Sequence, residues 1–199
     1  MERANASIRT PWPFHRVSRP GSITTGTPSG KRQALASQDT LVSESSYDHL
    51  PHVGDVVKDR YLVEELIGKG QFGWVFRVKH MWLGRRFAMK VMHPRVAGDP
   101  QWVDRFREEA RQTSSLGHDH IVSVTDFDRC EHLGYFFIME YIDGVTLSSI
   151  LKRELQPMSP ERAIKLIYQA CDALAAMHDV GVVHRDLKPG NVMVCEHHG

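Results

Sequence analysis

The apolar positions of this chain fall into three regimes. Up to about residue 55, Ser, Thr, Pro and Gly dominate, and no strand-like or helix-like hydrophobic period is present. So little apolar surface cannot offset chain entropy, and residues 1–55 are expected to form a disordered tail. From Arg60 onward, short runs rich in β-branched and aromatic residues alternate with turn residues. Tyr61-Leu62-Val63 up to Ile67, Trp74 to Val78 and Arg86 to Met92 read as three strands, and Ile121 to Val124 and Tyr135 to Met139 as two more.

Between the third and fourth strands the period changes. Val103, Phe106 and Ala110 recur at helical spacing, behind Asp99 as N-cap and Pro100 at the first helical position, where its missing N–H costs nothing. Gly117 ends that segment. A short helix is predicted near Thr146 to Lys152, and Ser159-Pro160-Glu161 opens a longer one. Along it Ala163, Ile164, Ile167, Ala170, Cys171, Leu174, Ala175 and Met177 form a wide apolar stripe. Five strands with one helix, then helices, is an α+β pattern in two lobes. The boundaries read as a first lobe over 56–140 with a five-stranded antiparallel sheet, a connection at 140–144, and a helical lobe beginning at 145.

Composition narrows this only slightly. With 41% hydrophobic and 25% charged residues over 199, the chain can bury a core, and its net charge of +1 offers nothing toward nucleic acid. Cys130, Cys171 and Cys195 form no CxxC pair, which argues against a disulfide framework and fits a reducing cytoplasm. His118-Asp119-His120 and His197-His198 lack partners at metal-ligand spacing. No run of about 18 apolar residues suggests a membrane span.

The chemistry lies in four motifs. Gly68-Lys69-Gly70-Gln71-Phe72-Gly73-Trp74-Val75 places three glycines between two predicted strands, where backbone N–H groups can approach phosphate oxygens with no Cβ in the way. A dinucleotide fold would set such glycines between a strand and a helix. Ala88-Met89-Lys90 follows on the next strand, and Arg107-Glu108-Glu109-Ala110 on the helix carries two adjacent carboxylates. Met139-Glu140-Tyr141-Ile142 ends the fifth strand. His184-Arg185-Asp186-Leu187-Lys188-Pro189-Gly190-Asn191 comes last.

Taken in order, these motifs resemble the protein kinase family, and bacterial Ser/Thr protein kinases in particular. The resemblance spans about Arg60 to Gly199. It implies ATP and Mg²⁺ as cofactors and protein Ser or Thr hydroxyls as acceptors. Lys90, held by Glu109 with Glu108 the runner-up, would meet the α- and β-phosphates. Asp186 would orient the acceptor hydroxyl and take its proton, Lys188 would neutralise the transferring group, and Asn191 would hold the metal. Gly68, Gly70 and Gly73 would cover the phosphates. Ile67, Val75, Ala88 and Met193 would sandwich the base, with Met139 beside it and the backbone of Glu140 and Ile142 hydrogen-bonding it. Lysine at 188 is the form found in Ser/Thr kinases.

Two departures carry expectations of their own. The family's metal-binding Asp-Phe-Gly turn does not follow Asn191 up to Gly199, and Asp126-Phe127-Asp128 precedes the loop and lacks the glycine. Phosphotransfer by this chain alone is therefore expected to be down by roughly hundreds-fold or more. In the same way Ile164, Ile167 and Leu174 are expected to lack part of their cover. The alternatives are a non-catalytic nucleotide-binding or interaction module, and a small-molecule phosphotransferase sharing an H-x-D-x-x-x-x-N loop.

Overall fold

A computed structural model of the chain describes residues 5–9, 15–16, 50–70, 73–154 and 156–197. It begins with two short strands, β1 (Asn5–Arg9) and β2 (His15–Arg16). Both lie inside the segment expected to be a structureless tail, and Leu50 already packs against the first core. The physical reason is local. Averaged over 55 residues the composition is too polar to fold, but one apolar side chain, that of Ile8, is fully buried and its neighbours join a strand ladder.

The first lobe is built on β3 (Val56–Val57), β4 (Tyr61–Gly70), β5 (Gly73–His80), β6 (Arg86–Met92), β7 (Val124–Cys130) and β8 (Gly134–Glu140), in the spatial order β3-β4-β5-β6-β8-β7. Neighbours are antiparallel throughout. The five expected strands are present, and the two-residue β3 adds a sixth at the edge. The predicted strand over 121–124 starts only at Val124: Ile121 forms an isolated bridge, and Val122 and Ser123 join no ladder. Asp126 and Asp128 sit within β7 and face Arg60 and Lys58.

Both faces of the sheet are covered, which explains why β8 reads as a continuous apolar run. Phe136 and Ile138 enter a core with Tyr61, Val63, Phe76, Val78 and Met89. Phe137 and Met139 point the other way, toward Val103, Phe106 and Ala110 of α2 (Pro100–Ser114). A one-turn helix, α1 (Pro94–Ala97), precedes α2, and the Gln101 N–H donates to Asp99 Oδ1 at 2.9 Å.

The second lobe contains β9 (Val145–Thr146), α3 (Leu147–Arg153), α4 (Pro160–Asp179), β10 (Val182–Val183) and β11 (Met193–His197). Thr146 caps α3 and Ser159 caps α4, each accepting a backbone N–H three residues on. Helix α4 buries Leu166, Ala173 and Met177. Leu174 is half-buried against a cluster that includes Leu116, Ile121 and Val182. Ile164 and Ile167 are 67% and 62% exposed, as their position on the opposite face requires. No helix among the described residues is long and apolar enough to cross a membrane.

Candidate active site

The turn between β4 and β5 brings Gly70 opposite Gly73, and Gly68 opposite Val75. A Cβ at Gly73 would overlap the carbonyl oxygen of Val91, so the approach of β5 to β6 requires glycine there. A Cβ at Gly68 or Gly70 would meet only ordinary contacts, at 3.5 and 3.7 Å. The fold itself does not demand glycine at those two positions, which leaves their backbone bare to an incoming group.

Lys90 lies on β6 directly across from Val75. Its Nζ donates to Glu109 Oε1 of α2 at 2.6 Å, with the two side chains 16% and 14% exposed. The rings of Phe106 and Phe137 flank the ammonium at 5.8 and 5.4 Å. Burial pushes the Glu109 carboxyl from 4.5 up to about 7, against the opposing pull of Lys90. Glu108 is turned away and holds Arg111 and Gln112. Helical phase explains the choice, since Glu109 lies on the α2 face shared with Phe106 and Ala110.

Beside this pair lies an apolar cluster. Val75, Ala88, Met139 and Ile142 belong to one packed cluster, and Ala88 is the strand partner of Met139. The Glu140 N–H donates to the Ser123 carbonyl at 2.9 Å, fixing the end of β8. Met193 opens β11 from the second lobe, between the buried Val192 and Val194. Ile67 is 42% exposed and is not packed into that cluster.

The loop from His184 to Asn191 forms a tight hydrogen-bonded unit. Lys188 Nζ contacts both carboxylate oxygens of Asp186, at 2.9 and 2.8 Å. Asn191 Nδ2 donates to the Asp186 side chain and to its backbone carbonyl, each at 2.9 Å. The Asp186 N–H donates to the His184 carbonyl at 2.7 Å, and Arg185 takes a positive φ of 55° at the bend. Hydrogen bonding from Lys188 holds the Asp186 carboxyl below its usual range. His184 is buried, and burial lowers its pKa, so its imidazole is a neutral post beneath the loop.

Two contributions were hidden in the sequence. Phe106 and Phe137 read as core, yet they also flank Lys90. Arg9, placed in the tail, lies 3.4 Å from the Glu140 carboxylate. Helical and strand periods show that such residues are buried, but not what they face.

Residues 61–199 match the protein kinase domain family. The chain belongs to the protein kinase family. It is 40% identical over 143 residues to serine/threonine-protein kinase pkn3 of Myxococcus xanthus, covering 72% of this chain and 26% of that protein. It is 40% identical over 141 residues to serine/threonine-protein kinase PknB of Mycobacterium tuberculosis, covering 69% of this chain and 22% of PknB. The chain thus spans about a quarter of the length of these relatives. It superposes on the PknI kinase domain of Mycobacterium tuberculosis with a TM-score of 0.62 and 26% identity, covering 72% of this chain and 58% of that one. The PpkA-294 apo form, 22% identical, shares the fold with a TM-score of 0.65 over 72% of this chain and 57% of its own. Kinases of this family generally use ATP and Mg²⁺.

Proposed function

We propose that the two lobes form the ATP site and catalytic loop of a Ser/Thr protein kinase, transferring the γ-phosphoryl group of ATP to Ser or Thr hydroxyls of protein substrates. The observation that carries this reading is the set of two charged units, Lys90 with Glu109 in the first lobe and Asp186 with Lys188 and Asn191 in the second. Reduced cysteines among the described residues agree with a cytoplasmic setting.

The division of labour follows from charge and position. Val75, Ala88, Met139 and Met193 enclose the base, and the backbone of Glu140 and Ile142 reads its edge. Lys90, kept in place by Glu109, presents its ammonium to the phosphates, which the bare backbone of Gly68 and Gly70 can approach. Asp186 is ionised, so it accepts the hydrogen bond of an acceptor hydroxyl, aligns that oxygen with the γ-phosphorus and takes the proton. Lys188 sits on Asp186 and is placed to meet negative charge on the transferring group.

Asn191 suits magnesium. Its amide nitrogen is committed to Asp186, which leaves the hard amide oxygen as the donor. The ion would sit on the phosphates, with Asn191 as a protein ligand. When bound, Mg²⁺ supplies charge neutralisation on the phosphates.

The test is transfer of labelled phosphate from Mg·ATP to Ser or Thr of an acceptor protein. Loss of label in Asp186→Asn with ATP binding retained is the expected result. Label that survives Asp186→Asn would overturn the assignment. ATP binding with no label from the unaltered chain would favour a non-catalytic nucleotide-binding module.

A further inference from the structure

The returning arm of the glycine-rich turn is fastened to the neighbouring strand by its backbone and by a ring. Gly73 lies opposite Met92 in the β5–β6 ladder, and its backbone comes so close to the Val91 carbonyl that no Cβ fits between them. Trp74, opposite Val91, lays its indole over the imidazole of His93, with ring centroids 4.3 Å apart and planes inclined by 24°. The pair is stacked, and Trp74 is buried. The outgoing arm differs: Gly68 and Gly70 have room for a Cβ, and Ile67 is exposed.

His93 has two separate roles at the point where β6 gives way to α1. Its ring carries Trp74, and its Nδ1 accepts the Arg95 N–H at 3.1 Å as the N-cap of α1. Burial lowers the pKa of His93, which keeps the ring neutral and the Nδ1 lone pair available. Its carbonyl accepts from the N–H groups of Val96 and Ala97. Those two side chains pack against the cluster that holds Val103 and Phe106 of α2, the helix of Glu109. The stack therefore ties the returning arm to the strand carrying Lys90 and, through α1, to the helix carrying its carboxylate partner.

We propose that Trp74 and His93 are positioning residues for the phosphate groups of the nucleotide, their stack holding the Gly73 backbone in register with Lys90 and Glu109. Trp74 enters the core with Phe76 and Met89, whereas Val75 packs on the opposite face of the sheet. The indole thus acts through the backbone of the turn and not by contact with the ligand. The role toward phosphate rests on the kinase reading of the site, but the stack itself does not.

Equilibrium binding of Mg·ATP and of adenosine to the full chain tests the proposal, because only ATP presents phosphates. Two variants separate the roles of His93. His93→Asn keeps a capping acceptor and removes the ring, whereas His93→Phe keeps a ring for Trp74 and removes the acceptor. Releasing one pre-ordered arm should weaken ATP about three- to ten-fold in His93→Asn, with adenosine changed by less than about two-fold. His93→Phe should bind both as the unaltered chain does. Weaker ATP binding in His93→Phe but not in His93→Asn would assign the effect to the α1 cap and overturn the proposal. Equal losses in both variants, parallel losses of ATP and adenosine, or unchanged ATP binding in His93→Asn would overturn it as well. Hydrogen exchange reads the stack without any ligand: amides of residues 73–75 should exchange about ten-fold faster in His93→Asn and keep their protection in His93→Phe. If the unaltered chain binds no ATP, the kinase reading and the phosphate role fall together, and exchange alone decides whether the stack holds the arm.

Discussion

The buried pair of Lys90 and Glu109 makes a prediction whose sign runs opposite to that of an ordinary surface salt bridge. Glu109 Oε1 and Lys90 Nζ are 2.6 Å apart, yet the carboxyl is pushed up from 4.5 to about 7 because desolvation outweighs the attraction. A carboxyl that binds its proton more tightly when folded stabilises the fold fully below pH 4.5, and that stabilisation is lost as pH rises through about 7. A tenfold change in proton affinity is worth about 1.4 kcal/mol, so the loss between those limits totals about 3 kcal/mol. Glu109→Gln keeps the shape and removes the titration. Urea denaturation of both proteins from pH 4.5 to 8.5 should show the unaltered chain losing stability relative to Glu109→Gln, then levelling above neutrality. Parallel curves would refute the reasoning, and so would a relative gain with rising pH, the signature of an ion pair that outweighs its desolvation. The functional corollary is that Lys90 is fully paired only on the alkaline side of about pH 7, so ATP affinity should rise from pH 6 to 8.

Further outcomes follow from individual contacts. Lys90→Met removes the cation that pulls the Glu109 carboxyl down, so the stability loss should move to higher pH in the same titration, and a midpoint at or below 7 would count against the pairing. Asp186→Asn should lower phosphotransfer by about 10²–10⁴-fold, read by labelled phosphate, with little change in the urea midpoint because the side chain is 42% exposed. Gly73→Ala would drive a Cβ into the Val91 carbonyl and should cost about 2–3 kcal/mol in urea denaturation. Ser159→Ala removes the acceptor for the Arg162 N–H at the start of α4 and should cost about 1 kcal/mol.

The sequence by itself determined the two-lobed α+β pattern, the helix caps and the family, because each rests on local features: a period of two or 3.6, an Asp-Pro or Ser-Pro start, a glycine spacing. Lys90, Asp186 and Asn191 were legible for the same reason, since each sits at a fixed offset within its own motif. Only the tertiary structure decided what each residue faces. It turned Glu109 rather than Glu108 toward Lys90, and set Phe106 and Phe137 beside the ammonium. It left Leu174 half-buried and Ile164 and Ile167 exposed on one apolar stripe. It also brought Asn5–Arg9 to β11, a pairing between residues nearly the whole chain apart. A hydrophobic pattern states that a side chain must leave water, but the partner that receives it is set by packing between elements distant in sequence. For Ile8, an isolated isoleucine in a polar segment, even the burial was a decision of the fold.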